Sequence, residues 1–304
     1  MNYKILFFIA FAAFSLQWVT SCGSCSRKEE FDMSKFKESD SDGQLKMGDK
    51  VMEDMVDNIS SPIEMASLMK TLNVPFSQKY LATTKNVSTY STGQAKAFNL
   101  GVFACDLGYL NMYGKVTLVL DYISAMMNLA NGINVGQFFD YGTMKRIATN
   151  NQNIDSMVII SQQSFNKMDK YLQSSKRGHL SILMVAGVWI EGLYLTSRFY
   201  LERPGERRLG ESIGEQKVML DQLLLILGNF EEDRYIADVI TELGTLKELF
   251  SDIKITVEIG EPKRIEIDGM LTIVQTETSV VNYTDEQMNN IVKQAEVVRN
   301  KLIQ

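Results

Sequence analysis

Two acidic residues lie in the middle of strongly apolar stretches, where a carboxyl group is costly to bury unless it has a partner or a function. Asp106 lies within AKAFNLGVFACDLGYLNMY (residues 95–113), and Glu191 lies within LSILMVAGVWIEGLYLTSRFYL (residues 180–201). Burial disfavours the charged form of a carboxyl group and raises its pKa. If the two carboxyls approached each other across a core, they would resemble a paired-acid site, as in an acid–base hydrolase. If each bonded a tyrosine hydroxyl, a backbone group or Arg198, both would be structural.

The surroundings of the two acids repeat. The pattern Asp106-x-x-Tyr109-Leu110 recurs as Glu191-x-x-Tyr194-Leu195, and Lys79-Tyr80-Leu81 recurs as Lys170-Tyr171-Leu172. The offset is 85 residues for the pair that contains Asp106 and Glu191 and 91 residues for the pair that begins at Lys79 and Lys170. The two offsets indicate an internal duplication with an insertion or deletion between its halves. The predicted pseudo-repeats are residues 61–132 and 154–230, stacked as helical hairpins in the manner of α-solenoid proteins. Short chance matches in helix-rich sequence are the alternative.

Three aromatic residues of these stretches are candidate binding residues: Tyr109, Tyr194 and Trp189. The predicted binding surface is an exposed groove between helices, lined by tyrosine and methionine side chains. Methionine suits such a groove because its side chain is flexible and polarisable, although the seventeen methionines of this chain would also fill helical cores.

Other chemistries have little raw material in this chain. His179 is the only histidine, so a catalytic triad would have to use it, and it lies where an exposed helix start is predicted. One histidine and three cysteines are poor material for zinc, and neither a DxDxDG calcium loop nor a GxGxxG or GxxxxGK[ST] phosphate loop occurs. The sequence therefore predicts no metal and no cofactor. A net charge of −6 argues against nucleic acid as a partner.

The amino-terminal residues have the organisation of an exported lipoprotein. Residues 1–21 combine Lys4, an apolar core and small residues before Cys22, which is the layout of a signal peptide. The sequence Val19-Thr20-Ser21-Cys22 resembles the bacterial lipobox, in which the cysteine becomes the lipidated first residue. Acyl chains such as palmitate on Cys22 would anchor the protein to a membrane. The alternative is an ordinary signal peptide whose cysteine forms a disulfide.

The chain after Cys22 changes from polar to globular composition. Residues 22–45 are rich in Ser, Asp, Glu and Lys and are predicted to form a flexible tether, because they cannot bury enough apolar surface to offset the entropy of ordering. With 45% hydrophobic and 22% charged residues overall, the remainder is ordinary globular material. We predict that residues 46–304 form a single helical domain.

Hydrophobic periodicity predicts a mainly all-α, multi-helix layered array with a small β-hairpin-like appendage near residues 253–281. Apolar residues recur at helical spacing through most of the domain, whereas Ile253, Ile255, Val257 and Ile259 alternate with polar residues, as in strands. Gly260 to Lys263 is the predicted hairpin connection. The predicted helices are 47–59, 62–72, 95–113, 116–131, 143–149, 154–173, 180–201, 211–230, 233–250 and 285–303.

Residues 180–201 are the predicted centre of the domain. They are apolar on all sides of a helical wheel, which is typical of a fully buried helix or of a membrane span. Burial is favoured because Glu191 lies in the middle of the run, where hydrocarbon would penalise a charge by about 2.5 to 3.5 kcal/mol.

The region 47–304 resembles a family of uncharacterised helical lipoproteins of Bacteroidota. The resemblance depends on SPIEMASLMKTLNVPFSQKYL, AFNLGVFACDLGYLNMYG and GVWIEGLYL. It implies a location in the bacterial cell envelope, lipid-anchored at the outer membrane and facing either the periplasm or the surface. It implies no activity.

Three functions remain open at this point. The leading hypothesis is a membrane-tethered, non-enzymatic helical binding or scaffold lipoprotein, with an envelope protein or a small apolar ligand as its partner. The second is a carrier of a small apolar ligand or lipid, which requires a continuous apolar tunnel. The third is an acid–base hydrolase built on Asp106 and Glu191, which requires both carboxyls to face one solvent-reachable cavity.

Overall fold

The computed structural model describes residues 72, 74–140, 142, 154–260, 263–267, 270–274 and 277–304. The predicted signal peptide, the predicted lipidation site Cys22 and the predicted tether lie outside these residues. So do the helices predicted over 47–59 and 143–149 and nearly all of the helix predicted over 62–72.

The described chain is mainly helical, as the periodicity predicts. Its α-helices are α1 (Gly93–Met112), α2 (Val116–Gly132), α3 (Ile154–Ser174), α4 (Gly178–Glu202), α5 (Arg207–Leu227), α6 (Arg234–Phe250) and α7 (Asp285–Leu302). Short 3-10 helices cover Gln78–Tyr80, Thr84–Thr89, Gly136–Phe138 and Gly228–Phe230. Most boundaries lie within three residues of the predicted ones; α5 begins four residues earlier, and Gly228–Phe230 continues it as a 3-10 turn.

Helix α4 is the centre of the described fold. It packs against α1, α3, α5 and α7, and its side chains are buried on every face. Among the described helices it is the one that is long and apolar enough to cross a membrane, but 89% of its most apolar window is buried inside the protein. The prediction that this helix is a core element is therefore confirmed.

Two glycines allow α1 and α4 to cross at close range. A Cβ atom on Gly101 would lie 1.9 Å from the carbonyl oxygen of Met184, and a Cβ on Gly187 would lie 2.0 Å from that of Phe98. Only glycine permits backbones to approach in this way. The two contacts are related by the same offset of 86 residues, from Phe98 to Met184 and from Gly101 to Gly187.

The helices run in the same direction through this crossing. Gly93, at the start of α1, faces Leu180 near the start of α4, and Cys105 faces Gly192 further along. Residues about 86 positions apart in the two helices therefore lie near each other. Asp106 and Glu191 are 85 residues apart, so they lie at nearly the same level of the crossing. The other part of the sequence echo is not equivalent, because Lys79-Tyr80-Leu81 forms the end of a 3-10 turn whereas Lys170-Tyr171-Leu172 lies inside α3.

The β appendage is present, but its strands pair differently from the prediction. Strands β1 (Lys254–Ile259) and β4 (Glu277–Asn282) form one antiparallel pair, and β2 (Lys263–Ile267) and β3 (Met270–Val274) form another. The segment 260–263 therefore joins two strands that do not pair, and its assignment as a hairpin connection is wrong. Period-two alternation identifies strands without specifying their partners.

Helix α7 follows the strands and returns the chain to the core, where it packs against α4 and α6. It begins with a capping box, in which Thr284 accepts a hydrogen bond from the Gln287 amide and the Gln287 side chain accepts one from the Thr284 amide. This placement brings Arg299, near the end of α7, to the middle of α4.

Candidate functional site

The carboxyl groups of Asp106 and Glu191 meet in one core. Both side chains are fully buried, and they lie close enough for Glu191 to raise the pKa of Asp106. The parallel crossing of α1 and α4 causes this approach, because it aligns the two positions. The two acids thus approach each other, which is the arrangement that the paired-acid alternative requires, but neither carboxyl has surface in contact with solvent.

Asp106 has the environment of a protonated acid. Its Oδ2 accepts a hydrogen bond of 2.9 Å from the amide of Ala82, whereas no donor among the described residues reaches its Oδ1. Burial, reinforced by the nearby charge of Glu191, raises the pKa of Asp106 well above its ordinary value. A proton on Asp106 satisfies this geometry, because the hydroxyl then donates to the Glu191 carboxylate.

Arg299 neutralises Glu191. Its Nε and Nη2 donate to the two carboxylate oxygens at 2.8 and 2.7 Å, in the bidentate geometry that makes arginine–carboxylate pairs strong. Burial lowers the pKa of the guanidinium, but the charge and hydrogen bonds of Glu191 outweigh it, so the net shift is upward. With Asp106 protonated, the three side chains form a neutral cluster, which we call the acid–arginine cluster.

Sequence reasoning missed Arg299. The expected partner, Arg198, instead forms an ion pair with Glu296. A signal was present in α7, because Arg299 continues the helical spacing of its buried residues Val292 and Ala295. A charged residue at an inward-facing position requires a buried partner of opposite charge.

Tyrosine hydroxyls at the carboxyl end of α1 bind a short segment that lies over the cluster and contains the 3-10 turn Gln78–Tyr80. We call residues 74–82 the strap. The Tyr113 hydroxyl donates to the carbonyl of Val74 at 2.7 Å, and the Tyr109 hydroxyl accepts from the amide of Ser77 at 2.9 Å. Tyr109 is therefore a binding residue in this fold, but the group it binds is part of its own chain.

The far end of the strap is held by the cluster itself. Ala82 is bound on both sides, because its amide donates to Asp106 and its carbonyl accepts from the Tyr122 hydroxyl. Nη2 of Arg299 lies 3.4 Å from the carbonyl of Tyr80. The cluster thus holds the strap against the helices.

Tyr194 and Trp189 do not line an open groove. The Tyr194 ring is buried between two guanidinium groups, with Arg299 at 4.5 Å and Arg198 at 5.2 Å from its centroid. Trp189 is also buried, and its indole N–H has no acceptor among the described side chains and backbone. Both side chains belong to the core around the acid–arginine cluster.

A separate apolar pocket lies between α1, α2, α3 and α4. Its volume is about 80 Å³, and three methionines and two phenylalanines are among its lining residues. Its lining includes Leu100, Ala104, Leu107, Met126, Phe139, Phe165, Met168, Met184 and Val188. The pocket shares methionine with the predicted groove, but it contains no tyrosine and most of its lining residues are buried.

His179 is half-buried near the start of α4, with its ring 6.1 Å from that of Phe230. Burial lowers the pKa of its imidazole, and the residue at the helix cap is Arg177 rather than His179. In the part of the chain that the structure describes, no group of three or more His, Cys, Asp or Glu side chains is arranged to hold a metal ion.

Comparisons of this chain with protein-family models, curated proteins and solved structures find no match. The chemistry of the site must therefore be argued from its own geometry. The acid–arginine cluster can hold and share a proton, but its fully buried carboxyls cannot touch a substrate while the strap is in place. The apolar pocket can accept a small apolar group.

Proposed function

We propose that this protein is a membrane-tethered, non-enzymatic helical binding lipoprotein of the bacterial cell envelope. The lipobox-like residues before Cys22 support the anchor. The observation that carries the binding role is the pocket lined by Met126, Met168, Met184 and two phenylalanines, because such side chains adapt to apolar groups of different shape.

The size of the pocket favours a protein partner. Sites for small molecules are typically about 300 to 1,000 Å³, whereas this pocket holds about 80 Å³. It matches one apolar side chain of a partner protein better than an acyl chain. A lipid carrier is therefore supported less, since it requires a continuous apolar tunnel.

The hydrolase alternative is also supported less. Asp106 and Glu191 come together, but the acid–base mechanism requires a solvent-reachable cavity, and both side chains are fully buried. The charge of Glu191 is matched by Arg299 rather than left available for catalysis.

Site-specific photo-crosslinking in the native envelope tests the binding role. A photo-reactive residue at Val188, on the pocket wall, should yield a discrete crosslinked partner. Ala104→Leu fills the pocket and should remove most of that product, whereas Ala237→Leu, at a half-buried alanine of α6, should leave it unchanged. Equal crosslinking in both variants would refute the pocket as the binding site.

Mass spectrometry of the mature amino terminus tests the anchor separately. We expect a diacylated or triacylated Cys22 as the first residue. An unmodified Cys22 in the mature protein would remove the lipoprotein assignment while leaving the pocket experiment valid.

A further inference from the structure

The strap is held mainly through its backbone. Side chains of the helices bind five of its main-chain groups: the carbonyls of Val74, Tyr80 and Ala82 and the amides of Ser77 and Ala82. This is the recognition mode of peptide-binding grooves, in which main-chain hydrogen bonds supply affinity and pockets for side chains supply specificity.

The groove also has places for particular strap side chains. The Phe76 ring stacks on Tyr109 at 5.5 Å and lies 5.6 Å from Tyr113, with the ammonium group of Lys115 4.7 Å from its centroid. Val74 and Ala82 are buried, each with 3% of its surface exposed. The groove is therefore complementary to the side chains of the strap, and a peptide of unrelated sequence would not make the same contacts.

A polar hinge connects the strap to the helices. Residues 83–89 contain no buried residue, and the next residue, Tyr90, is buried and donates its hydroxyl proton to the carbonyl of Ile303. Thr84–Thr89 of this hinge forms a 3-10 helix that packs against α2, and residues 83–89 can span up to about 25 Å once that helix unwinds. The strap can thus leave its groove by rearranging the hinge, while Tyr90 and α1 remain in place.

We propose that the groove over the acid–arginine cluster is an intermolecular binding site, in which the strap of a second copy of this chain replaces the chain's own strap. An exchanged strap makes the same contacts as the resident one, so exchange between copies conserves the interactions of the folded state. The second copy is the occupant that fits, because it carries the same Phe76, Val74 and Ala82. This site differs from the apolar pocket and does not depend on the proposed function.

A peptide supplied in trans tests the groove. The probe is a fluorescent peptide with the sequence of residues 72–84, LNVPFSQKYLATT. Phe76→Ala in the full chain weakens the resident strap and leaves the groove intact, so the peptide should bind this variant at least tenfold more tightly than wild type. Phe138→Ala, which removes a similar phenylalanine packed on Tyr171, is the matched control and should bind the peptide like wild type.

Specificity for the groove is tested by changing the peptide and by changing the full chain. A peptide carrying alanine at the Phe76 position should bind at least tenfold more weakly, and Tyr109→Phe combined with Phe76→Ala should weaken binding of the native peptide. If Phe76→Ala does not fold, Val74→Ala provides a milder loosening of the strap with the same expectation. Equal binding to wild type and to the strap variants would overturn the proposal, and so would no binding to either.

Exchange between copies is measured with two differently tagged full-length chains. After incubation at high concentration, the tags should co-purify, and excess native peptide should reduce the mixed species at least fivefold, whereas the alanine peptide should not. Mixed species that resist the native peptide would place the contact elsewhere and refute exchange. Ala104→Leu, which fills the pocket, should leave peptide binding unchanged, so failure here is distinguishable from failure of the proposed function.

Discussion

Replacing Asp106 with asparagine tests the protonation state of the acid–arginine cluster. The asparagine amide is nearly isosteric with a protonated carboxyl: its NH₂ group can donate to Glu191, and its oxygen can accept from the amide of Ala82, as Asp106 Oδ2 does at 2.9 Å. The wild-type protein must keep a proton on Asp106 to make the same contacts. The Asp106→Asn variant would make them at every pH.

The sign and size of the effect follow from proton linkage. The pKa of Asp106 is raised in the folded state, so this group's contribution to stability is fully present below its unfolded pKa of about 3.9 and is lost as the pH rises towards its folded pKa. In that window the folded state holds one more proton than the unfolded state. Each pH unit therefore reduces the wild-type free energy of unfolding by about 1.4 kcal/mol relative to the Asp106→Asn variant.

Urea denaturation of both proteins between pH 4 and pH 8 measures this difference. We expect it to be small at pH 4 and to grow in favour of the variant with the stated slope. Asp221→Asn is the matched control, because Asp221 is exposed and pairs with Lys247 at the surface, and it should change stability by less than about 1 kcal/mol at every pH. A pH-independent difference for Asp106→Asn would refute the reasoning.

Three further substitutions test the packing. Arg299→Ala should lower the free energy of unfolding by about 3 to 5 kcal/mol because it strands a buried carboxylate. In the same denaturation assay, Lys247→Ala, which breaks an ion pair whose side chains are 55% and 42% exposed, should cost about 1 kcal/mol or less. Gly187→Ala should lower the free energy of unfolding by about 1 to 3 kcal/mol through the clash at the helix crossing. Gly244→Ala, with open space around it in α6, should raise that free energy by up to about 1 kcal/mol. Similar values for both glycines would contradict the close crossing. Tyr122→Phe should cost about 1 kcal/mol and accelerate hydrogen exchange of the strap amides, and unchanged exchange would argue against its bond to Ala82.

Local patterns predicted the helices and the centre of the fold well. The apolar periodicity, the capping box at Thr284 and the all-round apolarity of α4 are each encoded within a few consecutive residues. The recurrence of Asp106 and Glu191 in similar contexts indicated only that the two acids could approach each other, because the sequence does not state that α1 and α4 run parallel.

The contacts between distant segments could not be predicted in the same way. Arg299 lies 108 residues from Glu191, and no local pattern states which buried acid a buried arginine will meet. The strap has no periodic pattern in its sequence, and its binding depends on backbone groups that every residue carries. The pairing of β1 with β4 brings together strands that the β2–β3 pair separates in the sequence, so alternation alone suggested the wrong hairpin.

The crossing at Gly101 and Gly187 also governs how the chain acquires its structure over time. Each of these glycines fits only against the other helix, and 86 residues of chain separate them. Contacts this distant in sequence require a large loop to close before they contribute, which slows folding. In pulse-labelled hydrogen exchange during refolding, amides of α1 and α4 should gain protection in one late kinetic phase. Amides of α1 should remain unprotected until α4 has formed.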